Sequence, residues 1–71
     1  MNVYEPCMRF RLSVTVKQVG EVRRMIRKFL RTNYYGDTEF SFRFVGGPPT
    51  FGFNDVSHLW TASVCVEAWT V

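Results

Sequence analysis

The sequence predicts an α+β fold, a two-layer sandwich in which one amphipathic helix packs on a three- to four-stranded, mainly antiparallel sheet. Apolar residues alternate over residues 8–17, recur at spacings of three and four over residues 19–30, and alternate again after residue 39. Alternation is typical of a half-buried strand, and the longer spacing is typical of one helix face. The predicted order is β-α-β-(β)-β. Because one helix covers one sheet face, the other face is open to water or a partner.

The first strand is predicted over residues 8–17, where two sets of side chains point to opposite faces. The set predicted to face the helix contains Met8, Phe10, Leu12, Val14 and Val16. The set predicted to lie on the open face contains Arg9, Arg11, Ser13, Thr15 and Lys17. The sequence therefore places three cations on the open face of the first strand.

A helix is predicted over residues 20–33, because the apolar positions fall on one stripe of a 3.6-residue repeat. That stripe consists of Val19, Val22, Met25, Ile26, Phe29 and Leu30. Gly36 follows where a left-handed residue commonly ends a helix.

The chain after the helix predicts two short strands around a turn. Residues 39–45 alternate, with three phenylalanines on one face, and residues 50–54 form a second run. The Gly-Gly-Pro-Pro segment between them predicts a turn or loop. Residues 50–54 would then pair back across it, with Phe51 and Phe53 completing the core.

Residues 60–71 predict a long final strand with alternating faces. The apolar face contains Trp60, Ala62, Val64, Val66 and Ala68. The open face contains Thr61, Ser63, Cys65, Glu67, Trp69 and Val71. The residues predicted to share one core are Phe10, Leu12, Val14, Met25, Ile26, Phe29, Phe42 and Val64.

Length and composition predict one compact domain, residues 1–71, without a metal or cofactor. A chain of 71 residues builds a single core, and an aromatic content of 17% can fill it. Residues 1–11 show no secretory signal, which favours the cytoplasm, or a host cell's cytoplasm, as the location. No apolar stretch approaches the length of a membrane span.

Catalysis is not predicted. His58 is the only histidine, and next to Ser57 it is more often a solvated or packing residue than a base. Cys7 and Cys65 stand alone, without zinc-ligand spacing. Two free thiols are expected, although a disulfide is the alternative because both fall on the open face.

Basic residues form the most informative pattern. Arg24, Arg27, Lys28 and Arg31 are spaced i, i+3, i+4 and i+7, which predicts one surface stripe opposite the apolar stripe. A solvated face whose cations suit the helix C-terminus is the alternative. Seven of the nine basic residues are arginine. The planar guanidinium group of arginine can donate two parallel hydrogen bonds to one carboxylate or phosphate, which favours docking on such groups.

Arginines and aromatic residues also mark other candidate contact positions. Arg9, Arg11 and Arg43 share the open sheet face with Trp69, the composition of a single-stranded RNA platform. Alternatively, Trp69 packs on the stems of neighbouring arginines or against a second subunit. Two further candidate contact residues at the helix end are Tyr34 and Tyr35.

These patterns favour a small non-catalytic binding protein that docks on an acidic protein surface and modulates or inhibits its partner. Its short, arginine- and aromatic-rich character is typical of accessory or inhibitor proteins of phages and mobile elements. A nucleic-acid binder that uses the same arginines on phosphates is the second hypothesis. A structural homo-oligomer, such as a homodimer joined through the open sheet face, is the third.

Overall fold

A computed structural model describes residues 8–71 and shows three strands and one helical segment. Strand β1 comprises Met8–Val16, β2 comprises Phe40–Asn54 and β3 comprises Leu59–Thr70. Helix α1, Val22–Leu30, lies between a 3-10 turn and a π-helical turn that together extend the helical segment over residues 19–35. The predicted α+β arrangement is therefore confirmed. Within the described part of the chain, no helix is long and apolar enough to cross a membrane.

The strands form one antiparallel sheet in the order β1-β3-β2. Strand β3 lies at the centre, pairing with all of β1 from Met8 opposite Ala68 to Val16 opposite Trp60. Strand β2 pairs along the other side of β3. Both β1 and β2 are edge strands, and the alternation predicted for all three strands places their apolar residues on the helix side.

The Gly-Gly-Pro-Pro segment is not a turn, contrary to the sequence-based prediction. Residues on both sides of it pair with β3, so residues 50–54 continue β2 instead of pairing back across a turn. Four residues of β2, 46–49, lie opposite the single Val64 of β3, which makes a wide bulge. Prolines are tolerated here because β2 is an edge strand, where a missing N–H need not break the ladder.

Gly47 adopts a φ of 111°, which L side chains rarely reach, although an added Cβ would have no atom within 4 Å. We therefore expect Gly47→Ala to lower the free energy of unfolding by about 1–3 kcal/mol through backbone strain alone. Thermal melting checks this value. Gly20→Ala is the matched control, since Gly20 lacks the positive φ and its Cβ would also meet nothing. Equal melting of the two variants would contradict a strained bulge.

The core lies between α1 and the sheet. Val22, Ile26 and Leu30 are buried on the helix, and the central strand contributes residues that are almost fully enclosed. The predicted core is confirmed as one cluster, with Phe10, Met25, Phe29, Phe44 and Trp60 among the half-buried residues packed at its margin. Val19 is exposed, contrary to the predicted stripe, because it lies in the 3-10 turn that precedes α1.

Phe51 and Phe53 do not complete the core, contrary to prediction. They point to the helix side, opposite Ala62 and Trp60, but remain 41% and 47% exposed. The helical segment of residues 19–35 spans only about 25 Å, whereas a twelve-residue strand such as β3 spans about 40 Å. The end of the β2–β3 hairpin therefore extends beyond the helix that would cover it.

Candidate functional site

Three arginines of the helical segment lie over aromatic rings of β2. Arg23, Arg27 and Arg31 are four residues apart and therefore follow one side of the helix. The guanidinium carbon of Arg23 is 4.9 Å from the ring centre of Phe42 and 5.3 Å from that of Phe44. The guanidinium carbon of Arg27 is 5.1 Å from the ring centre of Phe42 and 5.7 Å from that of Phe40. The guanidinium carbon of Arg31 is 5.0 Å from the ring centre of Phe40. We call these three residues the arginine row. Cation–π attraction to the rings favours a fixed orientation of the three guanidinium groups.

The predicted basic stripe divides into two parts in the structure. Arg27 and Arg31 belong to the arginine row and lie over core residues, so they do not lie wholly opposite the apolar face. Arg23, which the predicted stripe omitted, joins them. The sequence contained the relevant signal, since an i, i+4, i+8 arginine repeat faces phenylalanines that alternate along β2.

Arg24 and Lys28 form the other part of the stripe. Arg24 makes an exposed ion pair of 2.9 Å with Glu21. Glu21 also accepts hydrogen bonds from the backbone N–H groups of Gln18 and Lys17, and these bonds, with Arg24, lower the pKa of Glu21. Lys28 lines a groove between α1 and β1. The helical surface therefore keeps a large excess of positive charge.

The two tyrosines at the helix end have different surroundings. The ring of Tyr34 is 5.6 Å from Phe10 and 6.1 Å from Phe29, yet the residue is 54% exposed. Tyr35 is half-buried and stacks on Phe40 at 4.6 Å with nearly parallel rings. Tyr34 is therefore the tyrosine available to a partner, whereas Tyr35 is mainly a packing residue.

An acidic residue that the proposed site omitted occupies the centre of the open sheet face. Glu67 pairs in register with Arg9 on β1 and with Arg43 on β2. Its Oε2 accepts from Arg9 Nη2 at 2.8 Å, and its Oε1 accepts from Arg43 Nη2 at 2.6 Å. The sequence could have identified Glu67, because it lies two residues before Trp69 and therefore on the same face of the last strand. The structure thus ties two predicted contact arginines to one carboxylate.

The two arginines lower the pKa of Glu67, first through the hydrogen bonds from Arg9 and then through those from Arg43. A carboxyl with a lowered folded pKa contributes stability above its ordinary value of 4.5, and this contribution is lost as pH falls through the folded pKa. We expect Glu67→Gln to melt below wild type near about pH 7, with the difference shrinking below about pH 4.5. Melting across this range checks the prediction. A difference that stays constant down to about pH 3 would contradict it.

Trp69 and Arg11 have their own contacts on the open face. Trp69 is half-buried, and the Arg43 guanidinium lies 5.9 Å from its ring centre. Arg11 extends towards Cys65, with its Nη1 3.8 Å from the Sγ. The packing alternative for Trp69 thus has support, because one neighbouring arginine already lies against its ring. The face offers less free aromatic surface than a stacking platform needs.

Thiols and titratable groups form no reactive cluster in the described part of the chain. Cys65 is half-buried with a free thiol, while Cys7 lies outside the described residues, so the prediction of two free thiols stays a prediction. Among residues 8–71 no three potential metal ligands come together. His58 has a φ of 59° in the β2–β3 turn, and its ring lies 6.3 Å from that of Phe53.

The end of the β2–β3 hairpin carries an aromatic patch whose residues the sequence interpretation assigned to the core face. Phe51, Phe53 and Trp60 share the helix side of the sheet, and Trp60 lies 4.9 Å from Phe53 and 6.2 Å from Phe51 between ring centres. Asp55 is the only aspartate, glutamate, lysine or arginine over residues 44–66. The hairpin segment that carries this aromatic patch thus supplies no cation of its own, unlike the helical surface.

Comparison with known proteins adds no relative to this description. No family model matches the sequence, and no curated protein or solved structure matches the chain.

Proposed function

We propose that this chain is a non-catalytic binding protein whose basic helix docks on an acidic surface of another protein and thereby modulates or inhibits it. The arginine row is the observation that carries this proposal. Each of its guanidinium groups lies over an aromatic ring while the arginine itself remains exposed. The surface is charged and accessible, and cation–π attraction favours one orientation of its guanidinium groups.

Ordering matters because a flexible arginine loses side-chain entropy when it binds. The rings of β2 restrict the arginines before any partner arrives, so less freedom is lost on docking. A planar guanidinium also matches a carboxylate through two parallel hydrogen bonds. A row of such groups supports recognition of several carboxylates spaced along one acidic surface.

Two aromatic residues away from the arginine row supply candidate anchors, Tyr34 next to Phe10 of β1 and Trp69 on the open face. Tyr34 lies in the turn that continues α1 and is more than half exposed. Partly exposed aromatic residues are common centres of binding energy in protein interfaces. Trp69 is a weaker anchor because Arg43 already lies against it. We place this activity in the cytoplasm, or in a host cell's cytoplasm if a phage or mobile element supplies the chain.

A nucleic acid is the second candidate partner, because guanidinium groups bind phosphates as well as carboxylates. Two observations favour a protein instead. The hairpin that carries the aromatic patch contributes no lysine or arginine over residues 44–66 to hold a nucleic-acid backbone, and the open face has Glu67 at its centre. A homodimer through the open face is the third candidate, and it would bring the same cations of two copies together.

Capture from a cell lysate on the immobilised chain, with and without nuclease, separates the first two candidates. We expect a protein to be retained whether or not nucleic acid is digested. Retention that disappears with nuclease would identify nucleic acid as the partner and would overturn the proposal. Sedimentation of the purified chain tests the third candidate, since a stable dimer with its open face covered would favour it.

A further inference from the structure

The two edges of the sheet differ in whether they could accept another strand. Among residues 8–71, the outer edges of β1 and β2 pair with no strand. On the β2 side, the arginine row reaches over the phenylalanines, and the bulge at residues 46–49 interrupts the edge. The β1 edge runs nine residues without a register shift. The edge suited to an additional strand is therefore that of β1.

An apolar groove runs beside this edge, between β1 and α1. It has a volume of about 380 Å³, and its lining includes Val14, Met25 and Phe29. A second groove of about 340 Å³ continues past Met25 to Val16 and Leu59. Side chains from alternate positions of an added strand would point into these grooves, because strand residues alternate between the two faces.

The charges along β1 indicate the chemistry of such a strand. Arg9 and Arg11 are exposed on the open face of β1, where Arg9 is also paired with Glu67. Lys17 directly follows β1 and, with Glu21, lines the second groove. If two copies of the chain paired antiparallel through β1, Arg9 and Lys17 of one copy would lie near the same two residues of the other copy. Repulsion between these like charges disfavours self-association. A strand with carboxylates at alternate positions would instead place them beside these cations.

We propose that the partner's contact segment is an extended acidic strand that adds to the outer edge of β1, with its apolar residues in the groove beside α1. This inference rests on the proposed function and specifies its partner. Backbone hydrogen bonds to the edge would hold the strand, and the grooves would select its alternate side chains. Lys28, which also lines the first groove, adds positive charge on the helix side.

A synthetic peptide with alternating glutamate and valine, as long as the nine residues of β1, is the probe. We expect it to shift the backbone amide resonances of β1 and to slow hydrogen exchange at alternate β1 amides, while those of β2 change little. A peptide with lysine in place of glutamate should bind at least about tenfold more weakly. Two further peptides carry N-methyl groups on the odd or the even residues, and only one should lose binding, because alternate N–H groups face the edge.

Thr15→Glu on β1 should weaken binding of the glutamate peptide by about tenfold, whereas Thr50→Glu, the same change at an exposed threonine of β2, should weaken it much less. Melting of both variants controls for the fold. Equal loss in the two variants, or shifts confined to helix amides, would overturn the β1 assignment while leaving the proposed function standing. Absence of any shift at about 1 mM peptide would also overturn it. Self-association through β1 without peptide would identify a second copy as the occupant and contradict the inference.

Discussion

Ile26→Ala should lower the free energy of unfolding by about 2–5 kcal/mol, because Ile26 is fully buried at the middle of α1 and its removal leaves a cavity. A domain of this size has a total stability of about 4–11 kcal/mol. The substitution should therefore lower the melting temperature by about ten degrees or more, and it could leave much of the protein unfolded at physiological temperature. Thermal and denaturant unfolding measure both quantities.

Lys28→Ala is the matched control for this substitution. Lys28 lies on the same helix, is exposed, and alanine is an equally good helix former. Its free energy of unfolding should stay within about 0.5 kcal/mol of wild type. Similar losses in the two variants would mean that α1 does not pack on the sheet through the side that carries Ile26.

Charge reversal at Arg24 and Lys28 should abolish partner binding while the fold remains intact. Neither side chain lies over a core ring, unlike Arg27 and Arg31, so reversal changes mainly surface electrostatics. Loss of the exposed Glu21–Arg24 pair should have little effect on stability. Arg24 and Lys28 directly follow Arg23 and Arg27 of the arginine row, so an acidic surface docked on the row would meet like charges there. Like charges oppose association by several kcal/mol, or about a hundredfold or more in affinity. Capture of the partner by the variant measures this loss.

A second variant separates charge from orientation. Arg27→Lys together with Arg31→Lys keeps both charges but removes the planar groups that lie over Phe40 and Phe42. If the arginine row recognises carboxylates through its fixed guanidinium groups, this variant should bind its partner more weakly at unchanged net charge. Wild-type binding by the lysine variant would show that charge alone is recognised.

The alternation of β1 and the helical spacing of Val22, Ile26 and Leu30 were sufficient to predict the layers and their buried faces. These patterns are local, and each apolar stripe needs only one neighbouring surface to cover it. The same local rules failed at residues 46–49. Glycine and proline usually mark a turn, but the two positive-φ glycines instead allow β2 to bulge and continue along β3.

The candidate site was harder to predict because it depends on how far elements reach and which neighbours they meet. Phe51 and Phe53 are exposed because the helix is shorter than the sheet. The relative length of the two elements cannot be inferred from the residue pattern of either one alone. The positions of Arg23 and Glu67 depend on pairing between elements distant in sequence. Sequence spacing identified basic residues on the helix, but not which of them rest on the core.

The most direct test of the docking surface is a paired measurement on the double variant Arg24→Glu and Lys28→Glu. Melting reports the fold, and capture from a nuclease-treated lysate reports partner binding. We expect melting close to that of wild type together with loss of the captured protein. Unchanged melting with undiminished capture would contradict the central claim that the basic helix docks on an acidic partner.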